Sequence, residues 1–318
     1  MTAVTVDHEL TTAFASHRRE LHVHCYRMTG SFSAAEDLTH DTFLRAWAAR
    51  DSFEGRSSMR TWLYRIATNA CLDFLGRHER RAVPVGDVSE VLESDPGLQP
   101  YPQALLQERG AGVDPLDELC RRDTTELVFI AALTRLPPRQ RAAFIARDVL
   151  DRSPTEAAEL LGTTTASANS LTQRARSTMR RQLGDLGAPA SDLVADEALL
   201  RRYVDAHHRG DVATVLELLR DDVRITMPPE PPCLGRPAAE DFFGHLLGPD
   251  RPGDWSLVAT SMNGRPAAAC YLRREGDPAA RALSIDVLRI EDGRIAGVHC
   301  FLGDDLFPAL ELPLARRR

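Results

Sequence analysis

Apolar positions recur at helical spacing along most of the first 183 residues and then give way to short alternating runs. Residues 8–29 bring Leu10, Phe14, Leu21 and Cys25 near one face and stop at Gly30, which predicts one helix. Ser33-Ala-Ala-Glu36 reads as a capping box that opens a second helix, ending at Arg50. A polar loop with Gly55 fills 51–58. A third helix is expected from Arg60 to Arg81. Its core positions are Leu63, Ile66, Ala67, Ala70 and Phe74. Arg65, Asn69, Arg77, Arg80 and Arg81 are left on the outside.

Periodicity fades across 82–118, where prolines, glycines and acids accumulate; this is a linker, although Tyr101-Pro-Gln-Ala-Leu-Leu106 is apolar enough to dock. Residues 119–135 resume a helix, Leu136-Pro-Pro138 breaks it, and Arg139 to Val149 form the next. From Ser153 to Arg181 the chain has the form of a helix-turn-helix. Ser153 is an N-cap, Pro154 suits the first helical position, and Glu156 completes a capping box. Ala157, Leu160 and Leu161 give an apolar face, and Gly162 can end the helix in the left-handed conformation. Thr164 or Thr165 caps the second helix. Ala168, Leu171, Ala175 and Met179 recur on its inner face. Ser167, Asn169, Ser170, Gln173, Arg174, Arg176 and Arg180 remain outside, groups that reach base edges and phosphates from a helix in the major groove.

After a shorter linker at 184–195 the pattern changes. Helices are expected at 196–208 and 212–219, a strand at 223–227, a helix at 237–247, and strands at 255–262, 266–274, 282–290 and 294–302. Gly264, Gly276-Asp277-Pro278 and Asp292-Gly293 mark the turns. Helices followed by an antiparallel meander make an α+β domain of roughly 120 residues.

Charge sharpens this division. All 39 basic residues are arginine and the net charge is −7. Residues 139–182 hold eight arginines against four acids, whereas 82–118 hold one against eight, and 183–318 hold 16 against 22. Local potential decides where a polyanion docks, so the net acidity does not exclude DNA. The six cysteines are scattered without a C-x-x-C pair, as expected of a reduced cytoplasmic chain. His17, His22, His24 and Cys25 read as ordinary helix positions rather than metal ligands, and no cofactor is implied. No apolar run approaches the ~20 residues of a membrane span, and the early charges (Asp7, Glu9, Arg18, Arg19) do not form a secretory signal.

Two blocks carry a family resemblance. The first is A-E-D-L-T-H-D-T-F-L-R-A-W (35–47) with R-T-W-L-Y-R-I-A-T-N-A-C-L-D-F-L-G-R-H-E-R-R (60–81). The second is L-P-P-R-Q-R-A-A-F (136–144) with the helix-turn-helix ending Q-R-A-R (173–176). Together they resemble the extracytoplasmic-function (ECF) sigma factors of the sigma-70 family. The resemblance implies sigma region 2 at 1–81, an acidic linker at 82–122, sigma region 4 at 123–184 and a second linker at 185–195. Asp37, Asp41 and Arg45, which share a helical face, are then the grip on the β′ clamp helices of core RNA polymerase, with the β flap as a further contact. The helix containing Trp62, Arg65, Asn69, Arg77, Arg80 and Arg81 reads and melts the −10 element. Phe53, Met59 and Tyr64 beside Arg56 and Arg60 offer surfaces for unstacked bases. Ser167, Asn169, Ser170, Gln173, Arg174 and Arg176 read the −35 element. The chain departs from the common pattern at Leu171-Thr172. The resemblance also implies that the linker threads polymerase channels that otherwise hold nucleic acid.

Residues 196–318 resemble the SnoaL-like group of the NTF2-like superfamily, through M-P-P-E-P-P-C-L-G-R-P-A-A-E-D-F-F (227–243), N-G-R-P-A-A-A-C-Y (263–271), D-G-R-I-A-G-V-H-C-F-L (292–302) and L-F-P-A-L-E-L-P (306–313). That fold makes a cone-shaped pocket, here lined by Tyr203, Trp255, Tyr271, Asp286 and His299, with Asp286 and His299 as an acid–base pair. Ligand sensing or contact with the sigma core is favoured over catalysis, since fold alone confers no activity. His299, Phe301, Leu306 and Phe307 are the expected contact. The expected fold is thus two all-α sigma domains followed by an α+β cone. Two other readings are a DNA-binding regulator that senses a small ligand without polymerase, and a SnoaL-like enzyme fused to a DNA module.

Overall fold

A computed structural model describes residues 3–53, 55, 57–77, 95, 97–107, 126–183 and 193–317. The chain divides into two compact units: 1–88 with 109–186, and 89–108 with 187–318.

In the first unit, α1 (Ala3–Thr29), α2 (Phe32–Ala48) and α3 (Met59–Arg77) pack around Leu10, Leu21, Cys25, Leu38, Leu63 and Ala67, all buried. Gly30 at φ 72° turns the chain between α1 and α2. The cap of α2 is Ser31 rather than Ser33: its Oγ accepts from the Ala34 amide at 3.3 Å. The helix stops at Ala48, two residues before the expected Arg50.

The connector supplies α4 (Gln103–Gln107), which belongs to the second unit. The first unit resumes with α5 (Leu127–Thr134), α6 (Pro138–Phe144), α7 (Pro154–Leu160) and α8 (Thr165–Leu183). Leu136-Pro-Pro138 ends one helix and starts the next, with Pro138 at the first helical position. A π-helical stretch, Ile145–Val149, follows α6. The Ser153 capping box forms as expected, with Ser153 Oγ accepting from Glu156 N at 3.2 Å and Glu156 Oε2 from Ser153 N at 2.8 Å. Arg141 is buried and donates to three backbone carbonyls: Met28 at the end of α1, Thr134 (2.5 Å) and Leu136 (3.1 Å). It ties the two helical groups of this unit, and α3 packs on α6 and α7.

In the second unit, α9 (Leu193–Arg209) and α10 (Val212–Leu218) lead into β1 (Leu219–Met227) and β2 (Glu230–Leu234). After α11 (Gly235–Leu247) come β3 (Asp254–Met262), β4 (Arg265–Arg273), β5 (Ala280–Glu291), β6 (Arg294–Leu302) and the short β7 (Ala315–Arg316). The sheet runs β2-β1-β6-β5-β4-β3, with β7 on β5. β3 to β6 form the expected antiparallel meander, but β1 joins β6 in parallel. β2 occupies the proline-rich stretch between the strand expected at 223–227 and the helix expected at 237–247. Its two prolines lack amide donors, and they are tolerated because β2 lies at an edge. One face of the sheet carries Leu257, Cys270, Leu288 and Val298 against Tyr203 of α9 and Phe243 of α11. The opposite face carries Ala267, Ala269, Ile285 and Val287, also buried. The C-terminal tail reaches Tyr271 on that face. The Phe307 ring stands 5.1 Å from it and the Tyr271 hydroxyl donates to Pro313 O at 2.9 Å.

Candidate functional site

Three helix faces in the first unit present polar groups outward. On α2, Asp37, His40, Leu44 and Trp47 are exposed at helical spacing, Leu44 by 52% and Trp47 by 36%. Asp41 and Arg45 lie at the side of this stripe. Arg45 Nε meets Asp41 at 2.9 Å and its Nη1 meets Asp73 of α3 at 2.7 Å. The hydrogen bond to Asp73 leads the causes that raise the Arg45 pKa. Asp37, Asp41 and Arg45 are therefore neighbours, but Arg45 also braces α2 against α3. Sequence reasoning missed Leu44 and Trp47. Their signal is two large apolar residues on the polar side of an amphipathic helix.

On α3, Arg65, Asn69, Asp73 and Arg77 form the exposed face. Arg80 and Arg81, expected to continue it, lie outside the described residues, as does Arg56. Trp62 is not on this face: it is buried, 5.1 Å from the Phe53 ring. Tyr64 is buried too, and its hydroxyl donates to Glu20 at 3.2 Å. Arg60 is engaged by the same carboxylate, with Nε at 2.8 Å and Nη2 at 2.5 Å. Burial works to raise the Glu20 pKa, and the Arg60 hydrogen bond and charge outweigh it, so the carboxyl stays below its usual range. Of the positions expected to hold unstacked bases, Trp62 and Tyr64 thus turn inward, Tyr64 onto Glu20 of α1, whereas Phe53 and Met59 are half-buried.

On α8, Thr165, Ser167, Asn169, Ser170, Gln173 and Arg174 are exposed, with no acid among them. The inner row is Ala168, Thr172, Ala175 and Met179. Thr172 replaces the expected Leu171, which is half-buried. Its hydroxyl donates to Ala168 O at 2.9 Å, which lets a polar side chain occupy a core position. Arg176 differs from Arg174. Its Nε meets Asp148 at 2.9 Å, pinning α8 to the π-helical stretch after α6, whereas Arg174 donates to the Ser170 carbonyl of its own helix.

In the second unit the five expected pocket residues divide between the two sheet faces. Asp286 pairs with Cys300 and His299 with Val287 in the β5–β6 register, so side-chain alternation sends Asp286 and His299 to opposite sides. They form no acid–base pair. Asp286 faces the helices, where Tyr203 Oη donates to it at 3.3 Å and Ser284 Oγ at 3.3 Å. Burial raises its pKa, against hydrogen bonds from Cys300, Cys270, Tyr203 and Ser284. His299 sits on the other face with Thr226 at 2.9 Å from Nδ1. Burial, with Arg289, Arg265 and Arg224 nearby, lowers its pKa to about 3. Tyr271 shares that face, and Trp255 donates to Leu246 O at 2.9 Å. Leu306 and Phe307, expected as exposed contacts, are buried, Phe307 completely. Among the described residues no group of three or more His, Cys, Asp or Glu is placed to hold a metal, and no helix is long and apolar enough to cross a membrane.

The connector makes the best-defined polar contact onto this unit. The Tyr101 amide donates to Asn263 Oδ1 at 2.6 Å, and the Asn263 amide returns a bond to Tyr101 O at 2.9 Å. The Gly264 amide donates to Gln103 Oε1 at 2.7 Å. Asn263 holds φ at 50°, which asparagine tolerates, and the β3–β4 turn thereby presents its amides and side chain to the connector. Leu98 and Tyr101 are buried. A small cleft of about 60 Å³ separates Asp95, Leu98 and Gln99 from Pro228 and Leu306.

Comparison with known proteins agrees with this division. Residues 13–81 match Sigma-70 region 2, 127–179 match Sigma-70, region 4, and 200–298 match the SnoaL-like domain. The chain is 39% identical over 313 residues to the ECF RNA polymerase sigma factor SigG of Mycobacterium tuberculosis, covering 93% of this chain and 82% of the relative. ECF RNA polymerase sigma factor SigW of Bacillus subtilis is 30% identical over 162 residues, covering 51% of this chain and 82% of the relative. The crystal structure of the Mycobacterium tuberculosis extracytoplasmic function sigma factor SigJ shares the fold, with a TM-score of 0.53 at 22% identity over 95% of this chain and 98% of that one. With its two helical sigma regions, promoter-specific initiation as its function and a C-terminal α+β NTF2-like domain, the chain belongs to the ECF RNA polymerase sigma factors.

Proposed function

We propose that three helix faces divide the work of initiation and that the C-terminal unit restrains it by holding the connector. The α2 stripe of Asp37, Leu44 and Trp47, with Asp41 and Arg45 beside it, is the grip on core polymerase at the β′ clamp helices. Its mixture of acids and exposed apolar surface suits a protein partner rather than a phosphate backbone. Arg65, Asn69 and Arg77 of α3 face the −10 element. Ser167, Asn169, Ser170, Gln173 and Arg174 of α8 read the −35 element, while Arg176 positions the helix through Asp148.

The observation that carries the regulatory part is the reciprocal Tyr101–Asn263 pair with Gln103–Gly264. A linker that threads a polymerase channel has to be narrow and extended. With Tyr101 to Gln107 fixed on a folded unit, the same chain cannot thread, so docking and threading exclude each other. In this reading Asp286 is structural: it is enclosed by four donors from its own domain, so it is not a general acid or base for a substrate. The test is hydrogen exchange on the full chain. Amides of Tyr101, Asn263 and Gly264 are expected to be protected in the free protein and to lose protection in the complex with core polymerase and promoter DNA. Undiminished protection in a transcribing complex rejects the restraint.

A further inference from the structure

A cleft of about 570 Å³ opens in the second unit between α9, the end of α10, the start of α11 and the β5–β6 turn. Its volume falls in the range of small-molecule sites. Arg202, Arg236 and Arg294 line it against one carboxylate, Glu217, over a floor of Leu199 and Leu218, both buried. That is an inversion of local charge, because residues 183–318 carry more acids than arginines.

The three guanidiniums are weakly committed. Arg202 makes no ion pair among the described residues. Arg236 meets Asp221 only at 3.5 Å, and that aspartate is 91% exposed, so water screens the pair. Arg294 donates to the Leu219 carbonyl at 3.4 Å, a long bond to an uncharged acceptor. The other nearby acids are engaged elsewhere: Asp222 and Asp292 meet Arg220 at 2.8 and 3.1 Å. Three like charges converging on one cleft repel one another until an anion joins them, and guanidinium forks match carboxylate and phosphate oxygens.

We propose that this cleft binds a small organic anion with two or more negative charges, the charges meeting the three arginines. This goes beyond the connector restraint and does not need it.

Calorimetric titration of the full chain with 1-naphthyl phosphate, 1-naphthol and inorganic phosphate tests it. Naphthyl phosphate is expected to saturate one site, as is phosphate, while naphthol shows no saturation. Arg202→Gln with Arg294→Gln should weaken naphthyl phosphate at least about tenfold, and added salt should weaken it further. Arg201→Gln, on the same helix but outside the cleft, should bind as the parent does. Equal affinity in the double variant, saturable naphthol binding, or no saturation by naphthyl phosphate overturns the proposal. Circular dichroism checks that the double variant is folded. If it is not, Arg236→Gln alone is read by the same criterion.

Discussion

The helix-turn-helix and the NTF2-like sheet place their polar chemistry on opposite sides of their cores. In α8 the core row is small and apolar apart from Thr172, and the groups that meet DNA in such a helix point to water. On the sheet, Asp286, His299 and Thr226 are all buried, as is Tyr203 of α9 against Asp286. A polar side chain that helical spacing leaves outside is available to a partner. A polar side chain inside needs partners of its own, and its presence alone does not distinguish a site from a satisfied core. The ion pairs add a second lesson. Arg45, Arg60 and Arg176 each brace one helix against another, whereas Arg65 and Arg174 are not held by a carboxylate among the described residues.

The largest effect that sharpens this contrast is expected inside the second unit. Phe307→Ala should cost about 3–5 kcal/mol of stability, as for a fully buried aromatic ring. Thermal unfolding of the full chain measures it, and a loss below about 1 kcal/mol would mean that Phe307 is a surface contact after all. Binding to −35 DNA is next: Arg174→Ala should weaken it by about 1–3 kcal/mol while leaving stability unchanged. Arg176→Ala should lose less affinity and instead lower helix stability, as should Asp148→Asn. The reverse ranking in a fluorescence titration would exchange the two roles.

Acid tests the buried groups. The His299 pKa of about 3 lies below the ordinary histidine value, so the unfolded chain takes up its proton first. Its contribution is complete above about pH 6.5 and is lost as pH falls toward 3. Between pH 6.5 and 5 the loss is up to about 2 kcal/mol, since each unit of pH is worth about 1.4. His299→Gln should make that part of the stability profile shallower, with buried His207 of the same unit keeping part of the slope; an unchanged profile would place the proton elsewhere. The smallest effect belongs to the capping box, where Ser153→Ala should cost about 1 kcal/mol, read from the unfolding midpoint of the first unit.

Much of the first unit was legible because helical spacing, proline and caps are local signals. The Ser153 box and the Ala168–Ala175–Met179 row form as the spacing predicts, and Leu171 fails only because a threonine hydroxyl can satisfy itself on its own helix. Tyr64 was harder, since its orientation depends on Glu20, 44 positions earlier, and Trp62 turns inward against the Phe53 ring. In the second unit the meander was legible from its turns. The parallel β1–β6 pairing was not, because it joins segments more than 70 residues apart. The separation of Asp286 from His299 follows from an odd step along paired strands, which spacing could reveal only once the register was known. The docking of Tyr101 was visible merely as an apolar run within an acidic linker; its partner Asn263 lies 162 residues away.

Run-off transcription from a single promoter by core polymerase tests the central claim most directly, with the parent chain compared against Asn263→Gly combined with Gln103→Ala. Glycine keeps the left-handed turn at 263 while removing the acceptor for Tyr101, and the second change removes the acceptor for Gly264. Losing two hydrogen bonds at about 1 kcal/mol each shifts docking by roughly thirtyfold. Both proteins should drive transcription, and the variant should yield more product at equal concentration. Equal yield would contradict the restraint by the C-terminal unit, and no product from either protein would contradict the assignment as an initiation factor.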